Sequence, residues 1–299
     1  MRAYLKWVIA GALLLCAVAA GAFFLARLHG APSTPASVPV AAATSTHVVI
    51  GRSVRGRAID AYIYGSGPTH LLFVGGMHGG YEWNAALLAF DFKQYLDAHP
   101  EVVPSGLTIA VIPELNVDGV FKVVGKAGPF DEADVNASQE VQVSGRTNAD
   151  GVDLNRNFAC NWQPEATWQN KPENAGTAAF SEPESAALRD FVASFQPAAV
   201  VFWHSQSGTV YAAQCGSAMA PHDLGIMKAY ADAAGYATQT TFDAYPVAGD
   251  SEGWLASIGI PALTVELTTH ADVEWDKNLA GIEALIHYFS SATSTESGS

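Results

Sequence analysis

Residues 70–82 read HLLFVGGMHGGYE, from His70 to Glu82. The segment 70–74 is a short, nearly continuous apolar run, the pattern of a strand covered on both faces. A Gly-Gly pair ends it, and two ionisable residues, His78 and Glu82, follow at once on a glycine-rich turn. Ligands of open α/β sheets bind outside the carboxyl ends of the strands. A buried strand that delivers His and Glu at that end therefore points both to the fold and to the place where its chemistry sits.

Further runs of the same kind occur at 58–64, 107–112, 198–203 and 262–266. Amphipathic stretches at 83–96, 184–195, 224–234 and 275–289 alternate with them. Ser181 and Glu184 fit a capping box at the start of the second. This alternation predicts an α/β fold with a mixed, largely parallel twisted central sheet flanked by helices. The stretch 121–174 is long and polar with little periodicity, and long loops in compact domains are usually functional.

Strand 107–112 runs into Pro113-Glu114-Leu115-Asn116-Val117-Asp118-Gly119, strand 198–203 into His204, and the last strand ends at Glu266. His78, Glu82 and His204 form a candidate zinc set, three N/O ligands that leave a position open for water. Each residue also has an ordinary reading: turn chemistry for His78, a carboxylate at a helix start for Glu82, a hydrogen-bonded structural histidine for His204. Their recurrence at strand ends together with Glu266 favours the metal. A second cluster, RTNADGVDLNRNF over 146–158, places Arg146 and Arg156 in a domain short of cations. Guanidinium groups hold carboxylates through a planar fork of donors.

The chain has 299 residues and a formal net charge of −14. Residues 1–46 carry three basic residues and no acidic one, which leaves 12 basic against 29 acidic residues in the remainder. Such a surface disfavours nucleic acid, whose binding rests on neutralising phosphates. Residues 7–25 are uncharged and mostly apolar, close to a membrane-spanning length, and Arg2 and Lys6 precede them. Segment 1–29 thus reads as an uncleaved anchor or a cleaved signal peptide. Both readings place the following domain outside the cytoplasm, periplasmic or extracellular. Residues 30–46 are rich in Pro, Ser, Thr and Ala and read as a linker, 47–290 as the catalytic domain and 291–299 as a frayed tail. Cys160 and Cys215 are the two cysteines of the exported part, a candidate disulfide in an oxidising compartment.

The chain resembles the zinc metallocarboxypeptidases (peptidase family M14) over about 53–289. GGMHGGYEW is similar to that family's first zinc-ligand loop, PELNVDGV to its P-x-x-N-x-D-G segment, and GVDLNRNF to its Asn-Arg substrate-carboxylate motif. WHSQSG resembles the segment of the second ligand histidine, YPVAGDSEGW the loop of the substrate-capping tyrosine, and ALTVEL the strand of the catalytic glutamate. One departure is the spacing His78-x-x-x-Glu82, one residue longer than usual, an excess that Gly79 and Gly80 can absorb.

The resemblance implies one Zn2+ held by His78, Glu82 and His204. It implies Glu266 as general base, Arg146 at the oxyanion, Asn155 and Arg156 on the substrate's terminal carboxylate, and Tyr245 closing over it. Asp250 and Glu252, in the stretch that lines the family's side-chain pocket, imply a preference for Lys, Arg or another amine-bearing terminal residue. The expected partner is a peptide or a muropeptide, and the oligomeric state is open. The alternatives are amide hydrolysis within cell-wall stem peptides and a non-catalytic peptide-binding module, against which Glu266 and Arg146 speak.

Overall fold

The structure is a computed structural model that describes residues 45–169, 171–216, 221–242 and 245–296. The chain divides into two compact units, Met1–Ala42 and Ala43–Ser299. The apolar run 7–25 and most of the linker lie outside the described residues. Among the described residues no helix is long and apolar enough to cross a membrane.

The second unit is built on an eight-stranded sheet. Its strands are β1 (Thr46–Arg52), β2 (Ala58–Gly65), β3 (Thr69–Val74), β4 (Leu107–Ile112), β7 (Ala199–Ser205), β8 (Thr209–Ala212), β9 (Ala237–Gln239) and β10 (Ala262–Leu267). Their spatial order is β1-β2-β4-β3-β7-β10-β8-β9. The central strands β4, β3, β7 and β10 run parallel to one another, while β2–β4 and β8–β10 are antiparallel pairs. This is the expected mixed, largely parallel α/β architecture. A two-stranded hairpin, β5 (Glu165–Trp168) and β6 (Lys171–Asn174), stands apart from it.

Both faces of the sheet are covered, which is why its central strands are apolar throughout. On one face α1 (Trp83–Ala98), α5 (Pro221–Ala234) and α7 (Trp275–Glu296) pack around Phe73, Phe92, Trp203, Tyr230 and Leu285. On the other, α4 (Pro183–Phe195) and α6 (Ser251–Ser257) close over Leu72, Phe158, Leu188, Phe202 and Trp254. Successive residues alternate between faces, so Val200 and Phe202 lead to His204 on the second face.

Several elements differ from the sequence reading. The segment 121–174 is not one long loop. It contains the end of α2 (Val117–Val124), all of α3 (Gln139–Ser144) and the β5–β6 hairpin. Each is too short to display a period. The Ser181–Glu184 capping box does not form: α4 starts with Pro183, whose fixed φ suits the first helical position, and Glu182 is its N-cap. Glu184 is instead held by the Val54 N–H and Asn148 Nδ2, at 3.1 Å each. The final helix continues to Glu296, past the expected end at 289. Residues 290–296 hold no Gly or Pro, and Ser290 and Ser291 turn their hydroxyls back onto the carbonyls of Ile286 and His287.

Glu114, just past β4, is a buried carboxyl. Burial pushes it up to about 8, the Gly128 N–H partly offsetting this and the charge of Asp60 adding to it. The folded protein thus holds a proton that the unfolded chain releases near 4.5. Stability is expected to fall as pH rises across that window. Glu114→Gln should remove this slope and raise the urea midpoint at pH 8 by an amount worth a few kcal/mol, on the order of the shift itself. An unchanged pH profile of urea unfolding would refute it.

Candidate active site

A short 3-10 turn, Gly79–Glu82, follows β3 and absorbs the long spacing between His78 and Glu82. Gly79 has φ +49°, and a Cβ there would collide with the Gly145 carbonyl oxygen. The turn therefore depends on a glycine at this point. His78, Glu82 and His204 are all buried, and one ligand atom from each lies within 4.8 Å of the others. Glu82 Oε2 is 3.0 Å from His204 Nδ1. The β7–β10 register sets Glu266 directly beside His204, so both side chains leave the same face of the sheet.

Each histidine also meets a second buried carboxylate. His78 Nδ1 lies 3.4 Å from Asp153 Oδ1, and His204 Nε2 lies 3.2 Å from Glu252 Oε1. Neither contact is aligned as a hydrogen bond, so both nitrogens are buried polar atoms without an aligned partner. Converging buried imidazoles and a carboxylate, with ring orientations the protein alone does not fully satisfy, fit a zinc ion.

Asp153 is fully buried. It accepts from Arg146 Nη2 at 2.8 Å and from the Asn155 N–H at 3.0 Å. Arg146 lies 4.0 Å from Glu82 and stacks on Trp168, 4.3 Å from the ring centre. Arg156 donates to the carbonyls of Asn155, at 2.6 Å, and Thr167, at 3.3 Å. Asn155 Oδ1 accepts from the backbone N–H and the hydroxyl of Ser251, at 2.9 and 3.0 Å. That fixes its amide with the nitrogen unpartnered among the described residues. Gly249, at φ +75°, bonds Cys160 and Phe158 through its backbone and draws the loop 245–252 against Arg156. The Cys160–Cys215 disulfide, with Cα atoms 5.9 Å apart, closes the same side.

These elements enclose a cavity of about 310 Å³. Its wall includes His78, His204 and Glu266, together with Asn155, Arg156, Tyr245, Asp250 and Glu252. Glu82 and Arg146 are buried and are not among the wall residues. Asp250 caps α6, accepting from the Gly253 N–H at 2.7 Å. Burial, followed by the charge of Glu82, pushes Glu266 up to about 8. Burial alone would also raise Glu82, but His78 and His204 outweigh it and hold the carboxyl below its ordinary value.

The sequence profile of the zinc carboxypeptidases (peptidase M14) matches residues 41–275. The chain belongs to this family. It is 26% identical over 239 residues to the gamma-D-glutamyl-L-diamino acid endopeptidase 1 of Lysinibacillus sphaericus, covering 73% of this chain and 59% of that protein. It is 42% identical over 73 residues to the murein peptide amidase A of Escherichia coli K12, covering 21% of this chain and 30% of that protein. The chain thus spans well under two thirds of the first of these relatives and of the second. Among solved structures, thrombin activatable fibrinolysis inhibitor shares the fold with a TM-score of 0.66 at 17% identity, covering 83% of this chain and 72% of that one.

Asp153, Ser251 and Trp168 were not singled out from the sequence. An acid flanked by Val152 and Leu154 in an otherwise buried segment was the available signal for Asp153; nothing marked the other two. Asp153→Ala leaves the buried Arg146 with Glu82 at 4.0 Å as its remaining carboxylate, and removing the close partner of such a pair costs about 3–5 kcal/mol. Urea unfolding of this variant should show a loss of that order; a loss below about 1 kcal/mol would contradict the pairing.

Proposed function

We propose that this domain is a zinc-dependent carboxypeptidase-type hydrolase that removes a terminal residue from peptides outside the cytoplasm. One observation carries the reading: a single cavity is walled both by Glu266 with the two candidate ligand histidines, His78 and His204, and by the Asn155–Arg156 pair. His78, Glu82 and His204 would hold the ion, which when bound lowers the pKa of a coordinated water and polarises the scissile carbonyl. Glu266 takes the proton from the attacking water and passes it to the leaving amine, a role suited to a carboxylate of raised basicity in a dry site. Arg146 adds fixed positive charge 4.0 Å from Glu82, and would stabilise the oxyanion. Arg156 and the free amide nitrogen of Asn155 hold the terminal carboxylate, and Tyr245 covers it. The acid balance of the wall, with Asp250, Glu252 and Glu266 against Arg156, supports a preference for amine-bearing terminal residues.

The muropeptide reading is favoured by a separate observation. The relative from Lysinibacillus sphaericus is named for cleavage at a diamino acid, and such a residue offers this cavity the same amine. Export rests on the N-terminal apolar run 7–25, as anchor or cleaved signal, and on the disulfide.

A peptide-release assay with and without a chelator tests the metal: activity should vanish on chelation and return with zinc. Glu266→Gln should bind zinc yet lose about 10²-fold or more in rate; undiminished hydrolysis would refute the assignment and favour a binding module. Peptides ending in Lys should be cleaved faster than the same peptides ending in Phe, and equal rates would remove the preference. A muropeptide digest run beside this panel separates cell-wall stem peptides from general peptides as substrate.

A further inference from the structure

The sequence reading gave Glu252 to the side-chain pocket, where an acid would need a free oxygen for an incoming amine. Glu252 does line the cavity, and in the structure each of its oxygens already has a protein partner. Oε1 lies 3.2 Å from His204 Nε2 and accepts from Thr264 Oγ1 at 3.2 Å, and Oε2 accepts from the Ser251 hydroxyl at 2.9 Å. The carboxylate is buried and begins α6, whose N-cap bond from Gly253 to Asp250 anchors the turn it sits on.

His204 turns its Nδ1 to Glu82, inside the ligand cluster, so Nε2 is the ring nitrogen left for an outer partner. Glu252 is the carboxylate at that nitrogen, and it is not part of the ligand cluster itself. We infer that Glu252 is a positioning residue of the metal centre, holding the His204 ring through Nε2 while Nδ1 faces the ion. The inference rests on the zinc reading above. Asp153 stands at the outer side of His78 in the same way, at 3.4 Å, so both histidines are backed by a buried acid. Carboxylates placed like this fix the tautomer and orientation of the ring and raise its basicity as a ligand.

The same contacts connect the two halves of the site. The Ser251 hydroxyl reaches both Glu252 Oε2 and Asn155 Oδ1. A continuous polar path therefore runs from the carboxylate clamp through Ser251 and Glu252 to His204.

The test is zinc affinity measured by competition with a chelator in the full chain, for wild type, Glu252→Gln and Glu252→Ala. Glutamine keeps the shape of the side chain and one of its two acceptor oxygens, and its fold can be checked by urea unfolding of the metal-free protein. The expected result is a loss of about 10-fold for Glu252→Gln and up to about 100-fold for Glu252→Ala. Cobalt-substituted Glu252→Gln should show a shifted visible absorption band. Zinc affinity of Glu252→Gln within about twofold of wild type, with an unshifted cobalt band, overturns the inference. Wild-type protein that binds no zinc would overturn the metal reading itself, so the two failures are distinguishable in one titration.

Discussion

The buried pair of Asp153 and Arg146 is the interaction on which the site depends. Neither charge could remain in the interior without the other, because desolvating an unpaired ion costs several kcal/mol. Burial alone would raise the Asp153 carboxyl, but Arg146 and His78 hold it well below the carboxylate range. A single fully buried side chain thus orients the first histidine, fixes the guanidinium behind Glu82 and, through the Asn155 N–H, starts the turn that carries Arg156. His78, Arg146 and the Asn155–Arg156 turn share one support. The pair is there for geometry as much as for stability, since a well-packed apolar replacement would stabilise the domain equally well.

The sheet supplies the other constraint. A one-residue slip of β10 against β7 would turn Glu266 to the opposite face, into the layer of Trp203 and Val265. The apolar alternation of Val200 and Phe202 against Val201 and Trp203 specifies that register, because both sets must be buried at once. The position of Glu266 is therefore fixed by core packing along the rest of the strand. The backbone bonds of Gly249 do the same for the clamp, tying the Tyr245 loop to the segment after Arg156.

What the sequence made legible follows from the same physics. Strands with both faces buried announce themselves as apolar runs, so the central sheet and its parallel character were readable, as were the four long helices. The residues at strand ends stood out because polar groups there have no packing role. The short elements in 117–174 carry too few residues for a period, and β8 and β9 are three or four residues long. The positioning residues were harder still. Asp153 and Glu252 act through other side chains, and only the fold brings them to the outer nitrogens of His78 and His204. Glu252 could be placed near the pocket from its neighbours in the chain, but not the direction of its carboxylate.

The charge balance of the site argues for a cation independently of family membership. Glu82, Asp153, Asp250, Glu252 and Glu266 are packed together, and among the described residues Arg146 and Arg156 are their permanent cations, while Glu82 and Glu252 outweigh burial and hold the His204 imidazole well above its ordinary value. The excess falls on the carboxyls least compensated: burial, with Glu252 as the main neighbouring charge, pushes Asp250 up to about 6, and Glu266 stands at about 8. Protein interiors do not accumulate acids in this way without a compensating positive charge. A divalent ion among His78, Glu82 and His204 would be the largest local charge and would draw both carboxyls back toward ionisation. The feature that makes Glu266 a reluctant acid in the bare protein is then what keeps it a strong proton acceptor once the centre is complete, because its burial persists while the repulsion from Glu82 is offset.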